Sequence, residues 1–566
     1  MRLPWLIVTA VTAAALVSSQ LWPADAPASA APLLYFVADA ERELTRLPVA
    51  FTRLSDAQEI KIGNEIAAGY EGYAIPNSEI QPVNEVQFVT AYVGRLGARL
   101  ASHAHRKLPY QFHFIANLHF INAFALPGGH VFVGGGLVDL METEDELASV
   151  LGHELEHLDH YHCAERVQIE MALRRVPLGG LIALPAEIFV AGYSKQQEME
   201  ADREGTRLAV DAGYSPLGSV RVFESFQRLY EKYRKERAKP PATPQQEMSR
   251  VAIDVLAGYF RSHPLASERI AQIRQMIRAE HWDTLSSRLQ PLPVQYVFVT
   301  QRARTALYSG HYDDAIKLAS RAVELKPKYG GALQALARAQ FAKADFEKAA
   351  ASYRTLLDLY PNDADSAHEY AIALSASGDH ARAAQEFAAW MQGSNPPQAS
   401  VDLAGLQLLS GDDRPATDAN AGLRRISATE TAASLAHLGY WYYRAANYEQ
   451  AAQLLGEAFE QAPQGGKFQV QLGWVLVEQR KFASAIQRFG AVRLEDRSSN
   501  MGTAVAYWQT HEKDFAMNQF DAAASAQPAW LNPRWVHALY GPIAAQSISE
   551  MQAEKIKRDA ARKRVE

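Results

Sequence analysis

The sequence predicts a mainly α-helical protein in two parts: an α+β first half with a small sheet, and behind it an all-α solenoid of helix hairpins. Three observations carry this reading. The chain has 566 residues, more than one core ordinarily holds, which implies about four domain-sized pieces. The second half repeats itself every 34 residues, and the first half carries long amphipathic helices around one short apolar run of strand type. A composition of 48% hydrophobic and 21% charged residues excludes wholesale disorder, a fibre and a multi-span membrane protein. Lys plus Arg number 57 against 63 acids, so no broad basic surface points to nucleic acid, and none is expected as a partner. A single cysteine, Cys163, excludes an intrachain disulfide and a metal site built from several thiolates, leaving His and carboxylate for any metal chemistry.

Residues 1–30 read as a signal peptide: Arg2 gives the positive start, Leu3 to Val17 is almost wholly apolar, and Ala28-Ser29-Ala30 is a small-residue cleavage site. The apolar stretch can be extended to Trp22, so an uncleaved anchor is the competing reading. Either way the bulk of the chain is expected outside the cytoplasm, in the periplasm of a Gram-negative source, with peripheral membrane association open. The remaining boundaries fall at 31–290 for the α+β part, 295–545 for the solenoid and 546–566 for a basic helical tail.

In the solenoid, Tyr312, Phe346, His380, Arg414, Tyr448 and Phe482 share one phase of the period. Three residues on stand Ala315, Ala349, Ala383, Thr417, Ala451 and Ala485, whose small size lets paired helices approach. Pro327 and Pro361 end helices at the same interval. This pattern resembles the tetratricopeptide repeat, with about six units and a terminal one around Phe515, Ala516 and Pro528; the units at His380 and Arg414 depart most from it. Such a solenoid offers a concave groove to extended or partly folded clients.

In the first half, residues 143–175 read as one long helix, opened by a capping box between Thr143 and Glu146. Leu147, Leu151, Leu155 and Leu158 form its apolar face, and His153 and His157 lie together on another. Four residues is just over one turn, so both imidazoles can reach one cation while Glu154 stays free to handle a water: an H-E-x-x-H pattern. A catalytic zinc asks for a third protein ligand, and the helix expected from Lys195 to Ala212 places Glu198 and Asp202 on one face. One of them can bind metal while the other hydrogen-bonds a ligand imidazole; Glu200 points elsewhere. His160 is read as a rim or surface residue, and Cys163 as a small buried one. Val131-Phe132-Val133, after a Pro-Gly-Gly turn, is either an exposed edge strand able to pair with an extended peptide or an interior strand.

Several runs here resemble the CAAX-prenyl-protease and HtpX family of zinc metallopeptidases, in order, over about residues 50–280. They are Ser55 to Gly63, Asn122 to Gly129 ahead of Val131-Phe132-Val133, the His153 to His157 motif, and Tyr193-Ser194 to Gly205 followed by Asp211 to Pro216. The resemblance implies a zincin-like fold for the first part and one Zn2+ per chain held by His153, His157 and Glu198. It also makes Glu154 the general base and Asp202 the partner of a ligand imidazole. Ser262 to Ile270 matches a further segment of the family; its His263 is read as a fourth zinc ligand that latches the site, as a stabiliser of the transition-state oxyanion, or as a helix-capping residue. With repeats behind an export signal, the resemblance further implies an envelope endopeptidase acting on unfolded or stalled outer-membrane proteins, with the repeats binding clients or assembly machinery. The alternatives are a scaffold or chaperone acting through its repeats, and an iron oxidoreductase with a two-His, one-carboxylate site.

Overall fold

The computed structural model describes residues 54–74, 83–174, 193–237, 267–282, 285, 289–392, 399–423, 428–463, 466–492 and 497–562. The expected export signal, the apolar segment 176–192, the Pro-rich stretch 239–246 and His263 lie outside these residues. The chain divides into two units, Met1–Gln295 and Tyr296–Glu566.

In the first unit, helices α1 (Asp56–Ala74) and α2 (Val83–Ala101) precede strand β1 (Gln111–Ile115). Strand β2 (Ala123–Leu126) turns through Pro127–Gly129 into β3 (His130–Gly134). Gly128 and Gly129 take φ of 80° and 110°, which only glycine adopts readily, so the turn doubles the chain back and pairs β2 antiparallel with β3. Strand β1 takes the other side in parallel, with Phe112 beside Val131, giving the order β1-β3-β2. The edge reading of Val131-Phe132-Val133 is therefore overturned: β3 is hydrogen-bonded on both sides and wholly buried. An apolar run of this kind is what a central strand needs, since both its faces meet core.

After α3 (Gly135–Leu140), helix α4 (Glu144–Asp159) begins with the expected capping box: Thr143 Oγ1 accepts from the Glu146 amide, and the Glu146 carboxylate accepts from the Thr143 amide. It does not run on to 175. The chain breaks at His160 and Tyr161, and α5 (His162–Arg174) starts afresh. Tyr161 has φ 62°, a left-handed conformation costly for a bulky residue, and the Arg106 guanidinium lies over its ring at 3.7 Å. The same guanidinium donates to Leu158 O at 2.7 Å and pairs with Glu59 at 2.6 Å and Asp56 at 2.7 Å. Buried cationic packing thus closes α4 where apolar periodicity alone would continue it. Helices α6 (Lys195–Asp211), α7 (Leu217–Arg237) and α8 (Ser267–Ala279) complete the described part of this unit.

The second unit is a row of antiparallel hairpins, each about 34 residues after the last. The first three are α9 (Gln295–Tyr308) with α10 (Tyr312–Leu325), α11 (Gly330–Ala342) with α12 (Phe346–Leu359), and α13 (Ala364–Ala376) with α14 (His380–Met391). Then come α15 (Ala399–Leu409) with α16 (Arg414–Leu423), and α17 (Ala428–Arg444) with α18 (Tyr448–Gln461). The last two are α19 (Gly466–Glu478) with α20 (Phe482–Gly490), and α21 (Arg497–Gln509) with α22 (Lys513–Ala526). Each of the six phased residues opens the second helix of a hairpin, and Ala315, Ala349, Ala383, Ala451 and Ala485 are fully buried between helices. In the divergent fourth hairpin the buried small residue is Ala416 in place of Thr417. Helices α23 (Pro533–Tyr540) and α24 (Pro542–Arg562) then fold back across the row. Asn532 donates to Lys343 O at 2.9 Å and Arg534 pairs with Glu347 at 2.8 Å, while Tyr443 donates to Tyr540 O at 2.6 Å. Residues 546–562 continue α24, which buries Ile548 and Met551 and whose first amides donate to Glu478. The chain's own C-terminal segment thus bridges early and late hairpins. Among the described residues no helix is long and apolar enough to cross a membrane.

Candidate metal centre

Two helices deliver the site. Helix α4 carries His153, Glu154 and His157; α6, started by a capping box between Ser194 and Gln197, carries Glu198 and Asp202. They cross where glycine faces glycine. A Cβ on Gly152 would stand 2.8 Å from Gly205 O, and one on Gly205 would stand 2.7 Å from the His153 amide nitrogen. Only hydrogen at both positions permits this approach, and the approach brings the histidines opposite the acids. Gly205→Ala is accordingly expected to destabilise the first unit by roughly 1–3 kcal/mol through overpacking and to weaken metal binding. Melting and zinc titration check this; an alanine chain unchanged in both would show slack at the crossing.

His153, His157 and Glu198 each offer one ligand atom within 4.8 Å of the others, and all three are buried. The two Nε2 atoms stand 3.1 Å apart, and each is 3.6 Å from a Glu198 oxygen. His153 Nδ1 lies 2.9 Å from Asp202 Oδ1, and His157 Nδ1 lies 3.0 Å from His162 Nδ1. With both Nδ1 atoms engaged elsewhere, both Nε2 atoms converge with the carboxylate. Burial holds the His157 pKa well below the ordinary histidine value, so its imidazole is neutral, the form a metal binds. Two imidazoles and one carboxylate form a donor set suited to a divalent cation with a position left for water. Glu154, the residue after His153, has no exposed surface.

Arg269, on α8, is a part of the site that the sequence reading passed over. It is fully buried: Nη1 is 2.9 Å from Glu198 Oε2, while Nε and Nη2 hold Asp202 at 2.5 and 2.7 Å. Burial acts to raise the Asp202 carboxyl, but the charge and hydrogen bonds of Arg269 outweigh it and keep that pKa below the usual value. Gln272, three residues on, donates to Met199 O at 2.6 Å and fastens α8 to α6.

His162 is the second residue that the sequence leaves unmarked. His162 Nε2 lies 3.4 Å from the carboxylate of Glu200, an acid that stands outside the ligand group. Its pKa falls to about 2, first through the hydrogen bond to His162. His160 caps the end of α4, one-third exposed, with Nε2 3.2 Å from Glu156 and outside the ligand group. Cys163 is buried, its thiol pKa pushed up by desolvation, and Sγ lies 3.3 Å from the Tyr193 hydroxyl. A nucleophilic thiolate is thereby disfavoured. His263 lies outside the described residues.

Residues 88–277 match peptidase family M48, a span that contains every one of these groups. This part of the chain is a domain of that family. The second unit matches tetratricopeptide repeats over residues 300–364, 335–399 and 442–507. The chain is 27% identical over 279 residues to the β-barrel assembly-enhancing protease of Escherichia coli K12, covering 45% of this chain and 50% of that protein. It is 30% identical over 221 residues to a putative β-barrel assembly-enhancing protease of Vibrio cholerae, covering 35% and 41%. Identity to the mitochondrial metalloendopeptidase OMA1 of Arabidopsis thaliana is 25% over 169 residues, covering 28% and 30%. The chain thus spans half or less of the length of these relatives. The peptidase-family domain and its buried His-His-Glu group stand together on the first unit; the repeats stand on the second.

Proposed function

We propose that this chain is a zinc metalloendopeptidase of the bacterial envelope that degrades misfolded or stalled outer-membrane proteins, its repeats holding clients or assembly machinery. The observation that carries the reading is the buried group of His153 and His157, on a helix that also bears Glu154, with Glu198 from the facing helix, within a peptidase-family domain. A structural metal site has no use for a general base beside its ligands, and a thiol nucleophile has no support at Cys163. Zinc held by His153, His157 and Glu198 would supply a Lewis acid that activates water and polarises a peptide carbonyl. Glu154 takes the proton of the attacking water and returns it to the leaving amine. Asp202, fixed by Arg269, orients His153. The envelope assignment rests on the export reading of residues 1–30 and on the similarity to the β-barrel assembly-enhancing proteases.

Removing metal tests this directly. A chelator should abolish cleavage of an unfolded protein, and stoichiometric zinc should restore it; activity that survives complete metal removal, or that only iron restores, would sink the reading. The proposed division of labour has its own test. A chain ending near residue 295 should still cleave a generic unfolded protein while losing association with stalled barrels; undiminished binding to them would place client selection in the first unit.

A further inference from the structure

We propose that His162 is a positioning residue for the metal ligand His157, and that Glu200 completes a one-way chain of hydrogen bonds running outward from the metal. The inference rests on His157 being a ligand and extends that reading by two residues. It follows from which atoms face each other. A nitrogen that binds a cation cannot carry a proton, and His157 Nε2 is the atom that converges with His153 Nε2 and Glu198. The His157 proton therefore sits on Nδ1, whose neighbour at 3.0 Å is His162 Nδ1. Two nitrogens at that distance need one donor and one acceptor, so His162 accepts at Nδ1 and holds its own proton on Nε2. That nitrogen lies 3.4 Å from Glu200 Oε2, a carboxylate oxygen that can accept its proton. Every proton in the chain points away from the metal.

The arrangement matches, at one remove, the treatment of the other ligand. His153 meets the Asp202 carboxylate directly, whereas His157 meets a carboxylate through an intervening imidazole. Such partners fix the ligand's tautomer and ring plane and raise its basicity. His162 can serve only because the helix breaks before it. On a continuous helix a residue five positions after His157 would sit about 140° around the axis from it. The left-handed turn at Tyr161 starts a new helix whose first residue is His162 and carries it back to Nδ1. His162 is 2% exposed, and the ring of Tyr193 stacks on His157 at 3.8 Å, so the imidazole pair is shielded from solvent.

The full-length chain and three variants test the assignment through zinc affinity, measured by competition with a chelating dye, and the visible spectrum of the cobalt-substituted protein. His162→Leu removes the acceptor and should weaken zinc roughly 10- to 100-fold and shift the cobalt bands. His162→Asn puts an amide oxygen near the Nδ1 position and should recover most of the affinity. His162→Gln reaches the Nε2 position and should not. Should the Leu chain fail to fold, the Asn and Gln pair decides alone. Parent affinity with an unchanged cobalt spectrum in His162→Leu, or equal recovery by Asn and Gln, would overturn the positioning role while leaving the ligand set intact. Failure of the parent chain to take up zinc or cobalt would instead overturn the ligand assignment, and this proposal with it.

Discussion

Glu154→Gln should yield a chain that retains one zinc and cleaves an unfolded protein about 10²- to 10⁴-fold more slowly, the usual worth of a general base. The side chains are nearly isosteric and Glu154 is fully buried, so the exchange removes a proton acceptor and little else. The ligand variants should behave differently. His153→Ala, His157→Ala and Glu198→Ala each take one atom from the convergent group, so zinc and activity should fall together. Asp202→Ala should keep some activity while weakening zinc roughly 10- to 100-fold, because it acts through His153. Metal content by atomic absorption, read beside turnover for each protein, separates the classes. Full zinc occupancy in Glu198→Ala would remove that residue from the ligand set; undiminished turnover in Glu154→Gln would remove the general base.

How far the sequence discloses this site depends on whether a residue's position follows from its own element. The α4 motif is legible because helical periodicity alone puts His153 beside His157, and the Thr143 cap sets the register. Glu198 and Asp202 are legible for the same reason, being one turn apart on α6. The hairpins after residue 295 declare themselves by repetition, even through the divergent fourth unit. What stays hidden is decided between elements. Val131-Phe132-Val133 reads alike as edge or interior strand until β1 is known to pair with it. The break after α4 is invisible because the residues on either side suit a helix; it is the packing of Tyr161 against Arg106, 55 positions earlier in the chain, that imposes it. His162 is concealed by that break. Arg269 is concealed by its type, since an arginine between Glu268 and Ile270 reads as the solvated face of an amphipathic helix until two buried carboxylates are found against it.

Arg269→Met should destabilise the metal-free first unit by about 3–5 kcal/mol, the range for breaking a buried ion pair by removing one partner. Glu198, Asp202 and Arg269 are all within 4% of complete burial, so solvent screens little of their charge. Counting these three groups, the metal-free site holds two negative charges and one positive. Without the guanidinium it holds two negative charges alone, a few ångströms apart and away from water. Protonation of one carboxyl can relieve part of that, which is why the expected loss stays in single figures rather than reaching the bare cost of burying charge. Zinc changes the balance: its two positive charges would neutralise the pair in the variant, so the zinc-loaded variant should lose less stability than the metal-free one. The gain in stability on adding zinc should then be larger for Arg269→Met than for the parent, even though its Asp202 is less well oriented and its turnover lower. Denaturant unfolding of the first unit, followed with and without zinc, gives the four midpoints needed. A metal-free variant that unfolds at the parent's midpoint would deny Arg269 its part as counter-charge. An equal loss with and without zinc would mean that its packing over the Phe223 ring, at 4.6 Å, matters and its charge does not.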